Sequence, residues 1–222
     1  MLHRDDVTAL LLSVQVSLAA TLACLVPGVL MGIWLARSNS KLRGFVETFV
    51  LAPLVVPPVV TGLLLLILLR ELFPALLFTW WAASLASAVV AIPLLIRTVR
   101  ATVEGIDPRW ALVAATLGAS RLRILRTITI PLAWRGIVAG ATLAWARALG
   151  EFGATIVVAG NIPGRTRTIP LAVWTAIQSP TAPSVVPLVI AAIALSLAAV
   201  AAGEWLVRHQ RHEGPFARHT AP

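Results

Sequence analysis

An arginine and a glutamate lie four residues apart within one of the most apolar stretches of the chain. Arg147 and Glu151 belong to a run from Gly136 to Gly160 that is long enough to cross a membrane. Ionisable side chains are costly in lipid, so they usually face a protein interior or a solvated cavity and mark a pathway. Residues four apart share one helical face, where opposite charges partly neutralise one another. The pair therefore indicates a translocation pathway or gate, and a purely structural ion pair is the alternative.

Residue sets typical of enzymes and metal sites do not accompany this pair. The four histidines are His3, His209, His212 and His219. No carboxylate or thiolate constellation completes a metal site with them, and one cysteine, Cys24, cannot form an internal disulfide. A Gly-rich phosphate loop followed by Lys and Ser or Thr is also missing. We therefore predict no catalytic residue, no metal site and no cofactor in this chain.

The composition predicts that membrane helices position these residues. Of 222 residues, 59% are hydrophobic and 12% are charged, against roughly 25% charged in soluble domains. The mean hydropathy is +0.90. We predict an all-α polytopic membrane protein with about five transmembrane helices, forming a single domain over residues 1–222. The predicted spans are Val7 to Ala36, Phe45 to Leu69, Phe78 to Ile96, Gly136 to Gly160, and Val185 to Val207.

The net charge of +9 is explained by membrane topology. The basic residues are spread over loops between hydrophobic spans and form no continuous soluble face, so we predict no nucleic-acid partner. Thirteen Lys and Arg residues fall on one side of the predicted spans and four on the other. The side rich in Lys and Arg is usually cytoplasmic. This asymmetry predicts a cytoplasmic C-terminus and an N-terminus outside.

Prolines interrupt the second predicted span. Pro53, Pro57 and Pro58 each remove a backbone donor, so this span should be bent or broken near its middle. Broken helices at membrane depth line cavities or are covered by protein, and their opened ends offer N–H groups suited to an oxyanion. Thr61 and Gly62 would add a hydroxyl and a place of close approach. A packing kink without substrate contact is the alternative.

Glycines recur along the fourth predicted span and reduce its bulk at several levels. Gly136 and Gly140 form a small-xxx-small pair that favours close helix approach. Gly150 and Gly153 flank Glu151 and extend this low-bulk surface to the ionisable pair. We include Gly153 with the predicted pathway residues.

The longest loop, at about residues 97–135, is predicted to contain a folded segment on the cytoplasmic side. Asp107 and Pro108 are typical of a helix start, and Gly118 suits the left-handed position that ends one. An apolar face recurs between them at helical spacing, through Trp110, Val113, Ala114 and Leu117. This short helix would either dock into a partner's groove or lie flat on lipid headgroups.

On the opposite side, residues Asn161 to Pro183 form a second long loop, rich in proline. Arg165 and Arg167 would attract an anion and a binding protein that delivers it. The alternative is an interfacial helix with Trp174 at headgroup level. The two interpretations are compatible.

The loop motif resembles that of a known family. The segment ALVAATLGASRLRILRTITIPL, from Ala111 to Leu132, resembles the cytoplasmic loop of permease subunits in bacterial ATP-binding cassette importers. The resemblance implies a separate ATPase subunit that uses ATP and Mg²⁺. It assigns the contact with that ATPase to Trp110, Ala114, Leu117, Gly118 and Ala119. Leu112 replaces the acidic residue with which the family motif usually opens.

Two further motifs resemble permeases of the molybdate importer group. They are APLVVPPVVTGLLLL, from Ala52 to Leu66, and GEFGATIVVAGNIPGRTRTIP, from Gly150 to Pro170. This resemblance implies a homodimer in the inner membrane, two ATPase subunits, and a periplasmic or lipid-anchored molybdate-binding protein. Sulfate, thiosulfate or tungstate permeases are the nearest alternatives. A secondary transporter without an ATPase would favour internal repeats, which are not evident, and a membrane scaffold would carry no anion flux.

Overall fold

The computed structural model describes residues 4–179 and 186–209, and these contain no β-strand. The all-α prediction is therefore confirmed. The described residues form ten α-helices: α1 Arg4–Arg37, α2 Arg43–Val55, α3 Pro58–Leu72, α4 Trp80–Glu104, α5 Arg109–Thr116, α6 Arg121–Ile124, α7 Ile130–Leu149, α8 Gly153–Ala159, α9 Ile169–Gln178 and α10 Val186–His209. A 3₁₀ turn, Pro74–Leu76, lies between α3 and α4, and a π-helical turn, Leu125–Thr129, joins α6 to α7.

Four of the described helical stretches are long and apolar enough to cross a membrane. They are α1, α4, the continuous stretch Arg121–Leu149, and Val186–Gly203 within α10. A fifth span results if the bent pair α2 and α3 is counted as one. The predicted number of about five is thus confirmed.

The bounds of the fourth predicted span were wrong. The helix does not run continuously from Gly136 to Gly160: it ends at Leu149, and α8 begins separately at Gly153. Two glycines within four residues weaken the helix here, and the Glu151 carboxylate bonds the start of the next helix. Glu151 therefore lies in the break between two helices.

Helix α4 is the centre of the fold and packs against α1 and α7. A Cβ atom at Gly32 of α1 would lie 2.9 Å from the Val99 side chain of α4. On α7, a Cβ at Gly140 would lie 3.0 Å from Leu95, also on α4. The close helix approach predicted from the glycine spacing of α7 is confirmed, and it places α7 firmly against α4.

Two serines of α1 attach the elements around the break to the core. Ser17 Oγ accepts a hydrogen bond from Trp145 Nε1 of α7 at 2.8 Å. Ser13 Oγ accepts one from the backbone N of Ile169, at the start of α9, at 2.7 Å. Buried polar groups of this kind fix helix register because each requires its partner. Both α7 and α9 are thus anchored to α1.

Candidate functional site

The predicted break in the second span is present. Helix α2 ends at Val55 and α3 begins at Pro58, and the two helix axes differ by 111°. The linking residues, Val56 and Pro57, have extended ψ angles of 131° and 132°. Two consecutive prolines cause the break, because Pro58 lacks the N–H that a continuous helix would require and favours extended backbone at Pro57.

The α3 side of this break packs directly on α8. A Cβ atom at Gly62 would lie 2.8 Å from the Cα atom of Ala154 and 2.9 Å from its carbonyl oxygen. A Cβ atom at Gly153 would lie 3.0 Å from Cβ of Pro58. Thr61 is buried beside this contact. The structure therefore brings Pro58, Gly62 and Gly153 together.

Glu151 bridges the break between α7 and α8. Its Oε2 atom lies 2.7 Å from Nη1 of Arg147, near the end of α7. Its Oε1 atom accepts a hydrogen bond of 2.7 Å from the backbone N of Ala154, in the first turn of α8. Glu151 is 2% exposed, whereas the Arg147 side chain is 31% exposed. The ion pair predicted from the four-residue spacing is present, although it spans a helix end.

Three N–H groups at these helix starts already have acceptors within the protein. The N–H groups of Val60 and Thr61 both donate to the carbonyl oxygen of Pro57, at 2.9 and 3.1 Å. In α8, the N–H of Ala154 is bonded by the Glu151 carboxylate. These helix ends therefore present closed contacts between protein groups in this conformation.

An apolar groove follows the concave side of the bent pair. Its volume is about 410 Å³. Its lining residues are Phe49, Ala52, Pro53, Val56, Thr61, Leu64, Leu65, Leu68 and Val89. Thr61 is the only hydroxyl side chain among them. Thr61, at one point of the groove wall, precedes Gly62 of the α3 and α8 contact.

The helix predicted in the long loop is α5, and residues next to it in sequence stabilise both of its ends. Asp107 Oδ1 accepts a hydrogen bond of 2.8 Å from the backbone N of Arg109, where α5 begins. Gly118 has a φ angle of +82°, the left-handed conformation predicted for it. The N–H of Ala119 donates to the carbonyl of Ala114 at 3.0 Å and closes the helix end.

The apolar face of α5 is exposed in the isolated chain. Trp110 is 55% exposed and Leu117, which caps the helix, is 82% exposed. Ala114 and Ala119 are half-buried, and Gly118 is exposed. Large apolar side chains clustered at the surface are typical of a contact with another molecule.

The two arginines of the opposite loop, Arg165 and Arg167, have different surroundings in the structure. Arg167 Nε donates to Oδ1 of Asn161 at 2.8 Å, and Asn161 Nδ2 donates to Oγ1 of Thr175 on α9 at 2.7 Å. Arg165 is exposed. Sequence reasoning missed Asn161 and Thr175, because a hydrogen bond spanning 14 residues has no local signal. Arg167 supports the loop, and Arg165 projects from it.

Histidine, cysteine and acidic residues do not cluster in groups of three within residues 4–179 and 186–209. His3, His212 and His219 lie outside the described residues, as does the end of the loop at Pro183.

The sequence matches the family described as "Binding-protein-dependent transport system inner membrane component" over residues 28–212. The molybdenum transport system permease protein ModB of Escherichia coli K12 is 42% identical over 215 residues, 91% of this chain and 94% of that protein. The protein of the same name in Haemophilus influenzae is 39% identical over 218 residues, 93% and 95% of the two chains. The ModB protein of Mycobacterium tuberculosis H37Rv is 40% identical over 86% of this chain and 73% of its own length.

Solved structures share the fold at low sequence identity. The inward-facing MetNI methionine ABC transporter superposes with a TM-score of 0.76 at 18% identity, covering 91% of this chain and 94% of that chain. A bacterial ABC transporter that imports the acidic polysaccharide alginate gives 0.75 at 16% identity, covering 94% and 80%. At these identities the likeness concerns the fold alone.

Proposed function

Because the chain belongs to the family of inner-membrane components of binding-protein-dependent transport systems, we propose that it is the permease subunit of an ATP-driven molybdate importer. The observation that carries this proposal is the 42% identity, over 91% of the chain, to the molybdenum transport permease of Escherichia coli K12. The NIPG and TRTIP motifs, between Asn161 and Pro170, resemble the same group. The chain functions in transport and is not itself an enzyme.

The proposed assembly contains two copies of this chain, each forming one transmembrane domain over residues 1–222. Each copy would bind one ATP-binding cassette subunit through the loop at about 97–135. The exposed apolar face of α5 supports this contact, because a partner's groove would remove Trp110 and Leu117 from water. ATP and Mg²⁺ would be held by the ATPase, and the α5 side would be cytoplasmic, with the N-terminus outside.

The proposed pathway passes where α3 meets α8. Gly62, Gly153 and Ala154 form a tight contact with little side-chain bulk, and the paired Glu151 fixes the start of α8. Closure of the ATPase subunits would move α5, and the bent span would then shift α3 away from α8. The paired arginine neutralises the Glu151 carboxylate, so that a passing anion meets little repulsion.

Delivery of the anion is assigned to a periplasmic or lipid-anchored molybdate-binding protein on the opposite side. Arg165 is placed to attract it, because it is exposed at the loop surface. The pathway itself need bind molybdate only weakly, since a permeating ion has to leave each site that it enters. Selectivity would then lie mainly in the binding protein.

The test is ATP-driven uptake in liposomes that contain the permease, its ATPase and its binding protein. Molybdate, tungstate and sulfate are compared at equal concentration, with and without ATP. We expect ATP-dependent molybdate uptake that exceeds sulfate uptake. A preference for sulfate would contradict the substrate assignment, and uptake that persists without the ATPase subunit would indicate a secondary transporter.

A further inference from the structure

Helix α2 is attached to the rest of the chain in an unusual way. None of its residues from Arg43 to Val55 is buried, although it is the first half of the bent span. A helix without buried side chains gains little from apolar packing, which is the main source of helix stability in proteins. The ion pairs of α2 are therefore among the contacts that fix its position beside α4.

Those polar contacts form one cluster of four charged side chains. Arg100 of α4 is hydrogen-bonded through Nη1 to Glu47 of α2, and through Nε to Glu104 at 2.8 Å. Glu104 also bonds Arg43 of α2, at 2.7 Å from its Nη2. We call these four residues the α2–α4 ion-pair cluster. Arg100 bonds both acidic groups, and Glu104 bonds both arginines.

The cluster lies between α5 and the bent pair α2 and α3. These two parts must move together if α5 is to control the bent span. On one side, Glu104 is the last residue of α4, and only four residues separate it from Arg109, where α5 begins. On the other side, α2 leads to the 111° bend and into α3, which carries Gly62. Four residues of backbone thus join the start of α5 to the end of α4, and four more join the end of α5 to α6.

We propose that Arg100 is a positioning residue that couples α5 to the bend of the second span. It holds α2 to the end of α4, so that movement of α4 is transmitted to α3 and its contact with α8. This inference rests on the proposed function, because it requires an ATPase bound at α5. All four side chains of the cluster are partly exposed, and exposed ion pairs contribute little to global stability. Removing Arg100 should consequently affect coupling more than folding.

The first experiment compares Arg100→Gln with Arg97→Gln in liposomes containing the ATPase and the binding protein. Arg97 lies on the same helix, is exposed, and forms no ion pair within the described part of the chain. We expect Arg100→Gln to hydrolyse ATP and to bind the ATPase normally. The amount of anion taken up per ATP should fall about fivefold or more, whereas Arg97→Gln should behave as the unmodified protein.

The second experiment restores the connection by other means. In a Cys24→Ala background, Glu47→Cys and Arg100→Cys are combined, and a short bifunctional thiol reagent then links the two helices. We expect the unlinked protein to be uncoupled and the linked protein to recover uptake per ATP. A purely structural role predicts instead that thermal stability, ATPase binding and uptake fall together and that the cross-link restores none of the coupling.

The outcomes distinguish this inference from the proposed function. If the unmodified assembly transports sulfate or tungstate in preference to molybdate, the substrate assignment fails, and the coupling ratio is measured with the transported anion. If Arg100→Gln keeps the same uptake per ATP as Arg97→Gln, the coupling role of Arg100 is wrong, whichever anion is carried.

Discussion

Gly62 of α3 lies so close to Ala154 of α8 that a Cβ atom at position 62 would be 2.8 Å from the Cα atom of Ala154. This contact joins the bent second span to the short helix that follows the Glu151 break. Because Glu151 bonds both Arg147 and the N–H of Ala154, the end of α7, the start of α8 and the start of α3 form one connected unit. This unit contains two helix breaks, one between α2 and α3 and one between α7 and α8. At each break, two helices can change their relative position.

A methyl group at position 62 is expected to force α3 and α8 apart. Gly62→Ala should cost about 1–3 kcal/mol of unfolding free energy, as overpacking usually does, and should lower anion uptake because the contact can no longer close. Thermal unfolding in detergent and uptake in liposomes measure the two effects.

Gly44→Ala is the matched control for this substitution. Gly44 is also helical, and a Cβ atom there would have no neighbouring atom within 4 Å. Alanine is favoured over glycine inside a helix, so stability should stay the same or rise slightly. Equal behaviour of the two variants would show that the α3 and α8 contact is not tight in the working protein.

The break in the second span was predicted from sequence, whereas the break in the fourth span was missed, although Gly150 and Gly153 weaken a helix there. Pro57 and Pro58 act on their own backbone, so their effect is visible locally. The end of α7 at Leu149 depends on the Glu151 carboxylate reaching the N–H of Ala154 while its other oxygen meets Arg147. Apolar periodicity alone continues through this region, and a span drawn by hydropathy therefore ran through the break.

The two long loops also differ in how much of their structure was predicted from sequence. Asp107 and Gly118 mark the two ends of α5 through contacts within a few residues. The left-handed conformation of Gly118 was predicted correctly, whereas the N-cap is Pro108, one residue after Asp107. Arg165 and Arg167 were assigned one role because they are two residues apart. The two side chains differ because Arg167 bonds Asn161, which is held in turn by its bond to Thr175 of α9. The bond to Thr175 is a tertiary contact that neighbouring sequence does not reveal.

Neutralising Glu151 is expected to weaken the connection between α7 and α8. Glu151→Gln keeps an oxygen that can accept from the N–H of Ala154, but it loses the ion pair with Arg147. The cost should lie at the lower end of about 1–3 kcal/mol, because the Arg147 side chain is partly exposed. Uptake should fall more strongly than stability if the pair belongs to the gate.

The control for this substitution is Glu71→Gln, since Glu71 is an exposed acid at the end of α3. Stability is read from thermal unfolding and gate function from liposome uptake. Replacing both Arg147 and Glu151 by glutamine gives the stricter test. Normal expression with unaltered uptake in that double variant would refute the gate role and leave a structural ion pair.

A side chain at Gly118 is expected to disturb the end of α5. Its φ angle of +82° is unfavourable for any residue with a Cβ atom, at a cost of roughly 1–2 kcal/mol. Gly118→Ala should therefore loosen the turn that places Leu117 and Ala119, and should reduce co-purification of the ATPase subunit.

Gly164→Ala provides a control at a second glycine in the left-handed conformation. Gly164 has a φ angle of +71°, and a Cβ atom at either glycine would have no neighbour within 4 Å. The two variants should lose similar stability, while only Gly118→Ala should weaken ATPase binding. Equal loss of ATPase binding in both would trace the effect to general destabilisation.

The arginines of the opposite loop are expected to respond differently to neutralisation. Arg165 is exposed, so Arg165→Gln should leave the fold unchanged and should weaken docking of the binding protein. The effect should be clearest at low ionic strength, where exposed charges are least screened.

Arg167→Gln should instead loosen the loop, because the bond from Arg167 to Asn161 is lost. Asn161→Ala removes the same bond together with the bond from Asn161 to Thr175, so it should loosen the loop at least as much as the Arg167 variant. The measurement is the affinity of the purified binding protein for the reconstituted permease at two salt concentrations, with thermal unfolding of each variant alongside it. A salt-dependent loss in Arg165→Gln without loss of stability would support docking through this side chain, and a normal affinity would assign the attraction to other residues.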